Sequence, residues 1–557
     1  MNRTHNWRLQ ETEKIEIVVS QRGRADVSFV PDASHSSHTV ANGQAMAGAH
    51  PARWLYVSVG FGAALFFYLH LFRFPAVPIW HDGDQAIYLE HAERMLGGAV
   101  LYRDLFQFNM PGTEYLYYFL FRCLGLHLWI GHLAFLLAAT AITLLVYSLS
   151  RIVLQGALAW LPAVAFLVIC QRSSLDGSHH WYSALMVLCA VNIVARASAV
   201  TWIGLAGAFL GLATIFTSGE GAFLAAGIAL FFIWEFRDWR RASKAIVALV
   251  VPFVTVVFSM MVYLTVTVGA KVLYYSLIVF PFRYYGAGYA NDFSIYFDEW
   301  QDVFPLRPHS ILLILLWFLL NAAVPIVLAV FMARCLCRNT PDLRNSDRTR
   351  ALMLYAFAAV FALLAVARAP SAPRLNCAAV FAYILAVALL KEIGARRLIG
   401  GALALACAAA LAEIVVAAVR PAPILDGARG PVAMFSQSDY QYTSWLAHIA
   451  RPGDRLFGSP TYNFVLGLKN PSKLEWVEPD AYTRPEQVRE LLDALNRYPT
   501  RFILFSDESG DQVDAGDNLK PFRAYLREHY RFVHPADMYG GIFVEDTDLP
   551  NDVAARE

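Results

Sequence analysis

The sequence predicts a polytopic α-helical membrane protein that ends in a small water-soluble α/β domain, and two observations carry that reading. Of its 557 residues, 57% are hydrophobic and 16% charged, with a mean hydropathy of +0.44; an ordinary soluble chain of this length is not so apolar. The apolar residues gather into runs long enough to cross about 30 Å of hydrocarbon, whereas from about residue 421 onward short strands alternate with amphipathic helices.

In chain order, residues 1–52 are polar, rich in Ser, His, Gly and Ala, and without helical or strand period, as expected of a disordered cytoplasmic tail. They do not read as a secretory signal, because the first apolar run starts late, is long enough to span and has no small-residue cleavage site after it. Residues 53–420 form the transmembrane core, with runs at 54–74, 129–150, 156–171, 180–197, 201–217, 221–236, 244–267, 310–334, 351–368, 375–391 and 398–419. That makes about eleven spans. Within the last of them, Glu413 is costly if it faces lipid, so it belongs either at the water boundary or to a functional site.

Basic residues in the short connections set the orientation. With the N-terminus inside, the inner loops hold Arg151, Arg196, Arg237, Arg240, Arg241, Lys244, Arg334, Arg338, Arg344, Arg348, Arg350, Lys391, Arg396 and Arg397, while the short outer loops hold Arg172, Arg368 and Arg374. Fourteen against three, with an odd number of spans, puts residues 421–557 outside the cytoplasmic (inner) membrane. The net charge of +1 gives no reason to propose nucleic acid as a partner. The seven cysteines lie in or beside spans and imply neither a disulfide framework nor a Cys-based zinc site.

Two outer loops are long, 75–128 and 268–309. The first opens with Trp80-His-Asp-Gly-Asp-Gln-Ala-Ile-Tyr88, and over 85–96 the apolar positions Ile87, Leu89, Ala92, Met95 and Leu96 recur with helical spacing while Glu90, Glu93 and Arg94 take the other face. This predicts a helix on the membrane surface, with Asp82 or Asp84 as N-cap and Gly97-Gly98 as its stop. Tyr115 to Leu124 predicts a second such helix, its aromatic side chains suited to the interface. The second loop carries Phe280-Pro-Phe-Arg-Tyr-Tyr285 and an acidic patch, Asp298-Glu-Trp-Gln-Asp302. Arg283 among Phe282, Tyr284 and Tyr285 is either a clamp for an anionic lipid head group or a snorkelling arginine in an aromatic belt. In the C-terminal domain, strands are expected at 455–459, 501–506 and 541–545 and helices at 485–495, with a Thr483…Glu486 capping box, and at 522–530. That domain holds no nucleotide, metal or triad motif.

The order of a first span, Asp84-Gln-Ala-Ile-Tyr88, a Gly-Gly with Leu101-Tyr-Arg-Asp104, Asn109-Met-Pro-Gly112 opening the next helix, many spans and an outer domain resembles the GT-C fold glycosyltransferases. The likeness is to their protein O-mannosyltransferase and aminoarabinose transferase branch, and Phe457-Gly-Ser-Pro-Thr-Tyr462 and Gly467-Leu-Lys-Asn-Pro471 are similar to outer-domain segments of bacterial members. The resemblance implies transfer of a sugar from a polyprenyl-phosphate carrier to a glycan, lipid or protein acceptor on the outer face. The family's catalytic Asp opens an Asp-Glu-x-x-Tyr pattern, which falls on Asp84 and Tyr88 with Gln85 in place of the Glu. Asp84 is therefore the first choice as base, Asp82 the second, with Tyr88 packing the same helix. A second departure is Thr217-Ser-Gly-Glu220, where related enzymes carry a Thr-Lys for the donor phosphate.

The chemistry is consistent with the residues. A departing phosphate is already a stable anion, so one carboxylate base and a cationic clamp suffice, whereas a glycoside hydrolase normally pairs two carboxylates. Arg283 and Arg374 are candidates for the phosphate, and direct attack would invert the anomeric centre. No cofactor is required, and a divalent cation is the one optional addition. Each assignment has a plainer counterpart: helix capping for Asp82 and Asp84, a turn for Asp104 against a role in acceptor or metal binding, and a first-turn position favoured by the helix dipole for Glu114. His81, Asp176, His179 and His180 would make a metal site if they met, and are otherwise interfacial polar residues. The competing classes are a lipid-carrier flippase or small-solute transporter, for which the spans lack central charges and an internal repeat, and a catalytically silent glycolipid-binding scaffold, for which the missing lysine beside Ser218 is the best argument.

Overall fold

The computed structural model describes residues 49–81, 83–197, 199–285, 315, 318–337, 346–367, 372–451, 453–479, 482–505, 517–536 and 540–545. Asp82, most of the 1–52 tail and the Asp298–Asp302 patch lie outside the described residues. The core opens with α1 (Ala49–Leu71), whose chain turns through β1 (Phe72–Arg73) and β2 (Val77–Trp80) into α2 (Gln85–Leu96) and α3 (Gly112–Leu124). The bundle continues with α4 (Leu128–Val153), α5 (Trp160–Phe166) between a 3-10 turn and a π turn, α6 (His179–Arg196), α7 (Val200–Phe216), α8 (Ser218–Glu235) and α9 (Trp239–Val268). Two short pieces, α10 (Ala270–Tyr274) and α11 (Phe280–Arg283), follow; then come α12 (Ala323–Cys337), α13 (Asp347–Ala365), α14 (Ala372–Glu392) and α15 (Arg396–Val419).

Among the described residues, seven helices are long and apolar enough to cross a membrane, and three shorter apolar ones accompany them. Helices occupy the described parts of all eleven predicted runs. The chain is a multi-pass membrane protein. α6 has spanning length but is less apolar, and its Val187, Leu188 and Val191 are fully covered by neighbours. Close approach shapes the bundle at α7, which packs on α9. A Cβ at Gly207 would collide with the Leu249 carbonyl, and one at Gly211 with Val256, so this small-xxx-small stripe is what lets the two backbones meet.

Charged helix ends gather at one end of the bundle. Arg350, at the start of α13, pairs with Glu235 at the end of α8 and donates to the Ala195 and Val194 carbonyls, at 3.1 and 3.3 Å, at the end of α6. Arg348 reaches the Val153 carbonyl at 3.2 Å, and Arg334 and Arg348 lie 3.3 and 3.6 Å from Glu392. Glu413 is neither exposed to lipid unpaired nor part of the cavities described below: it accepts from Arg172 at 2.7 Å and lies 3.3 Å from His70.

The opposite end is built from the first loop and the C-terminal segment together. β3 (Ile424–Gly427) and β4 (Gly430–Met434) join β1 and β2 in a sheet of order β1-β2-β4-β3, in which Ile79 and Trp80 pair in parallel with Ala433 and Met434. Beyond α16 (Gln437–Ile449) lies a second sheet, β5-β6-β8-β7, made of β5 (Leu456–Phe457), β6 (Phe502–Phe505), β7 (Tyr530–Ala536) and β8 (Gly540–Glu545). α17 (Pro460–Leu466), α18 (Pro485–Arg497) and α19 (Lys520–His529) complete the module. The predicted strands and helices are all present, but the capping box is displaced by one residue. Gln487, not Glu486, accepts from the Arg484 amide at 2.8 Å, and Thr483 instead accepts from the Glu478 amide at 2.7 Å.

α2 departs from a helix with one wet face. Its polar side is covered by α17 and residues 470–476, so Glu90 and His91 are 3% and 0% exposed. Burial is tolerated because the charges are paired: His91 lies 2.7 Å from Glu475 and 3.8 Å from Glu114, and Arg94 lies 3.4 Å from Glu475. Phe464 stacks on Phe121 across the same seam.

Candidate active site

Asp84 occupies the N-cap position of α2, and its backbone carbonyl accepts from Ile87 at 3.1 Å, yet its side chain makes no capping bond. The carboxylate is thus left to line two cavities. The first, about 540 Å³, is walled by the 106–109 turn, the start of α6, residues 217–220 and Phe223, Pro281, Phe282 and Tyr285, Leu364 to Val366, Arg374 and residues 474–476 and 482. The second, about 720 Å³, lies between Trp80, α16, the Gly458–Tyr462 turn and residues 476–479. Asp84, Ile87 and Trp476 belong to both walls.

The first turn of α2 is fixed by the loop before α6. Gly83 has φ +147°, and a Cβ there would lie 2.9 Å from the Asp176 Cβ, so only glycine admits both the dihedral and the approach. Gln85 accepts from the Gly177 amide at 3.1 Å and donates to the Tyr117 hydroxyl at 3.4 Å. A carboxylate could not make both bonds, which accounts physically for an amide at this position. Tyr88 is hydrogen-bonded to His179 Nδ1 at 2.6 Å, and that nitrogen is 3.9 Å from Asp84 Oδ2. Burial within the site pushes the Asp84 carboxyl up to about 6, with Asp176 acting in the same direction and Arg374 against it.

Among the described residues lining the first cavity, Arg374 is the one lysine or arginine. It donates to the Tyr285 hydroxyl at 3.1 Å. Across from it, Glu220 lies 3.5 Å from His180 Nδ1. The aromatic wall joins three parts of the chain: Phe108 to Tyr285 at 4.5 Å, Phe106 to Phe280 at 4.9 Å and Phe280 to Tyr482 at 5.4 Å.

The remaining expected site residues sit elsewhere. Arg283 is exposed and lies over Tyr284, which also stacks under Arg484 at 4.1 Å, and neither Arg283 nor Tyr284 lines a cavity. Asp104 is a turn residue, holding Arg103 at 2.8 Å and capping the Val100 amide at 2.9 Å. Glu114 is fully buried and accepts from Gln107, whose side chain reaches the first cavity. His81 bonds the His70 carbonyl at 2.8 Å, away from His179 and His180, and among the described residues no three His, Cys, Asp or Glu side chains are grouped to hold a metal. Sequence reasoning missed Glu475, Trp476 and Tyr482, which the C-terminal module carries to Asp84 from almost 400 positions away. No local pattern marks them.

No protein-family model matches the sequence, and no curated protein does. Among solved structures, ArnT from Cupriavidus metallidurans bound to undecaprenyl phosphate superposes with a TM-score of 0.57 at 14% identity, over 90% of this chain and 100% of that one. The chain has the GT-C fold. The same ArnT in the apo state gives 0.56 at 13% identity, over 91% and 98%. A more distant likeness, with a TM-score of 0.46 at 13% identity over 89% and 75%, is to the Archaeoglobus fulgidus oligosaccharyltransferase in its apo form. Within the GT-C fold, the first-loop helices and the C-terminal module contribute to the walls of the two cavities that Asp84 joins.

Proposed function

We propose that this protein is a membrane glycosyltransferase that moves a sugar from a polyprenyl-phosphate carrier to a glycan, lipid or protein acceptor, with inversion. One observation carries the reading: Asp84, whose side chain makes no capping bond, forms part of the wall between a cavity lined by an arginine and a second cavity with none among its described lining residues. The Cupriavidus ArnT was solved with undecaprenyl phosphate, and a donor of that kind fits the first cavity, with Arg374 offsetting the phosphate charge and the aromatic wall receiving the prenyl chain. The acceptor enters from the second.

An acceptor hydroxyl gives its proton to the Asp84 carboxylate as its oxygen forms a bond to the anomeric carbon. On the opposite side the bond from that carbon to the phosphate oxygen breaks, and the phosphate keeps the electron pair. Tyr88 and His179 hold the flank of Asp84, and Gln85 fixes the turn that aims it. Asp82, two residues before it in the sequence, is the second candidate for the base. No step needs a cofactor; a divalent cation, if used, would show as loss of transfer on chelation.

We read residues 53–420 as the membrane core and 421–557 as an outer, periplasmic module, with the N-terminus inside. The gathering of Arg334, Arg348 and Arg350 at the end away from Asp84 supports that orientation. The test is transfer of labelled sugar from a panel of polyprenyl-phosphate donors by wild type and Asp84→Asn in the same detergent. Transfer by wild type, lost at least a hundredfold in a folded Asp84→Asn, is expected. Equal transfer by the variant would remove Asp84 as the base, and no transfer from any donor would remove the transferase reading.

A further inference from the structure

Both cavities carry three carboxylates, but they differ in cations: Arg374 lines the first. The second is lined by three carboxylates, Asp84, Asp439 and Glu478, and none of its described lining residues is lysine or arginine. Four aromatic residues, Trp80, Tyr462, Trp476 and Phe505, line it, and Trp476 is stacked on Tyr482 of the first cavity at 6.2 Å and 6°. Hydroxyls of Thr443, Ser459 and Thr461 complete the lining. Its volume of about 720 Å³ falls within the range of sites that hold small ligands, about 300–1,000 Å³.

These groups select by elementary chemistry. Carboxylates accept hydrogen bonds from hydroxyl donors and repel phosphate or carboxylate in a confined space. Flat aromatic rings cover the apolar C–H faces of a pyranose, and threonine and serine hydroxyls both donate and accept. A phosphorylated lipid head group would meet three negative charges and no described cation; a neutral sugar would meet acceptors for its hydroxyls and rings for its faces. We propose that the second cavity is an acceptor subsite for the end of an uncharged, polyhydroxylated glycan, one hydroxyl of which gives its proton to Asp84. The proposal rests on the transferase reading and narrows its acceptor.

The full-length protein in nanodiscs is titrated, without donor, with neutral gluco-, manno- and galacto-configured trisaccharides and with the same trisaccharides bearing a terminal phosphate, and binding is read by saturation-transfer NMR. At least one neutral trisaccharide is expected to bind ten times more tightly than its phosphorylated partner. Asp439→Asn, on the exposed surface of α16, should weaken it several-fold, and Asp439→Lys should erase or invert the preference. Equal or tighter binding of the phosphorylated probes, binding of none of the neutral ones, or selectivity unchanged in both variants would overturn the assignment. Because this readout needs no transfer, glycan binding without transfer from any donor would leave the subsite standing and remove the transferase reading. Transfer only onto phosphorylated lipid or onto protein would do the reverse.

Discussion

At the scale of single residues, the proposal that Asp84 is the base rests on a carboxylate that makes no capping bond and lines both cavities. Its pKa of about 6 places the acid limb of activity just below neutrality: a general base works deprotonated, so kcat/KM should fall about tenfold per pH unit below that value. Asp176→Asn removes a like charge and should move the limb to lower pH, whereas Arg374→Gln removes an opposing one and should move it higher. A pH profile in which both variants shift the same way would contradict the arrangement. Gly83→Ala brings a methyl group against Asp176 at a φ of +147° and should cost about 2 kcal/mol or more, read as a lower midpoint of thermal unfolding in detergent.

At the scale of elements, α2 lies between the membrane core and the C-terminal module, and its buried charges hold it to residues 470–476. Burial pushes the His91 imidazolium down more than any other single cause, but the Glu475 and Glu114 carboxylates together outweigh it and carry it up to about 8. A histidine raised above its unfolded value near 6.5 stabilises fully below that value and loses the contribution as pH climbs through 8. The shift corresponds to about 2 kcal/mol. Stability should therefore decline between pH 6.5 and 9, and the decline should vanish in His91→Gln. In a double-mutant cycle, His91→Gln and Glu475→Gln should be non-additive by about 1–3 kcal/mol; additive losses would mean that the pair does not couple the two elements. The same geometry explains why Glu90 and His91 are poor guides in the sequence: they have the period of a solvent face, and only their partners on another part of the chain turn it into an interior.

At the scale of the molecule, the C-terminal module is not an appendage. It supplies β4 to the sheet of the first loop, Phe464 to the core beneath α2, and Glu475, Trp476 and Tyr482 to the first cavity. Truncation after Arg420 should accordingly lower the Tm of the remaining core by several degrees and abolish donor binding, measured with radiolabelled polyprenyl phosphate. A truncated chain that binds donor as well as the full one would mean that the module serves the acceptor alone. The long apolar helices persist in such a truncation, because their backbone bonds are local.

The sequence by itself determined the apolar helices of the membrane core, the existence of two helices in the first loop, and the strands and helices of the C-terminal module, and it singled out Asp84 with Tyr88 as candidates. Each of those follows from local spacing: apolar run length against bilayer thickness, period 3.6 against period 2, and a short motif at a span's edge. Only the tertiary structure decided that Asp84 is not a cap, that Arg374 and not Arg283 lines the first cavity, that Asp104 closes a turn, that Glu413 is paired with Arg172, and that a strap from the far end of the chain completes the site. Those outcomes depend on which distant groups come within 3 or 4 Å, and the strength of a charge or hydrogen bond is set by that approach and by the water it excludes, neither of which a linear pattern contains.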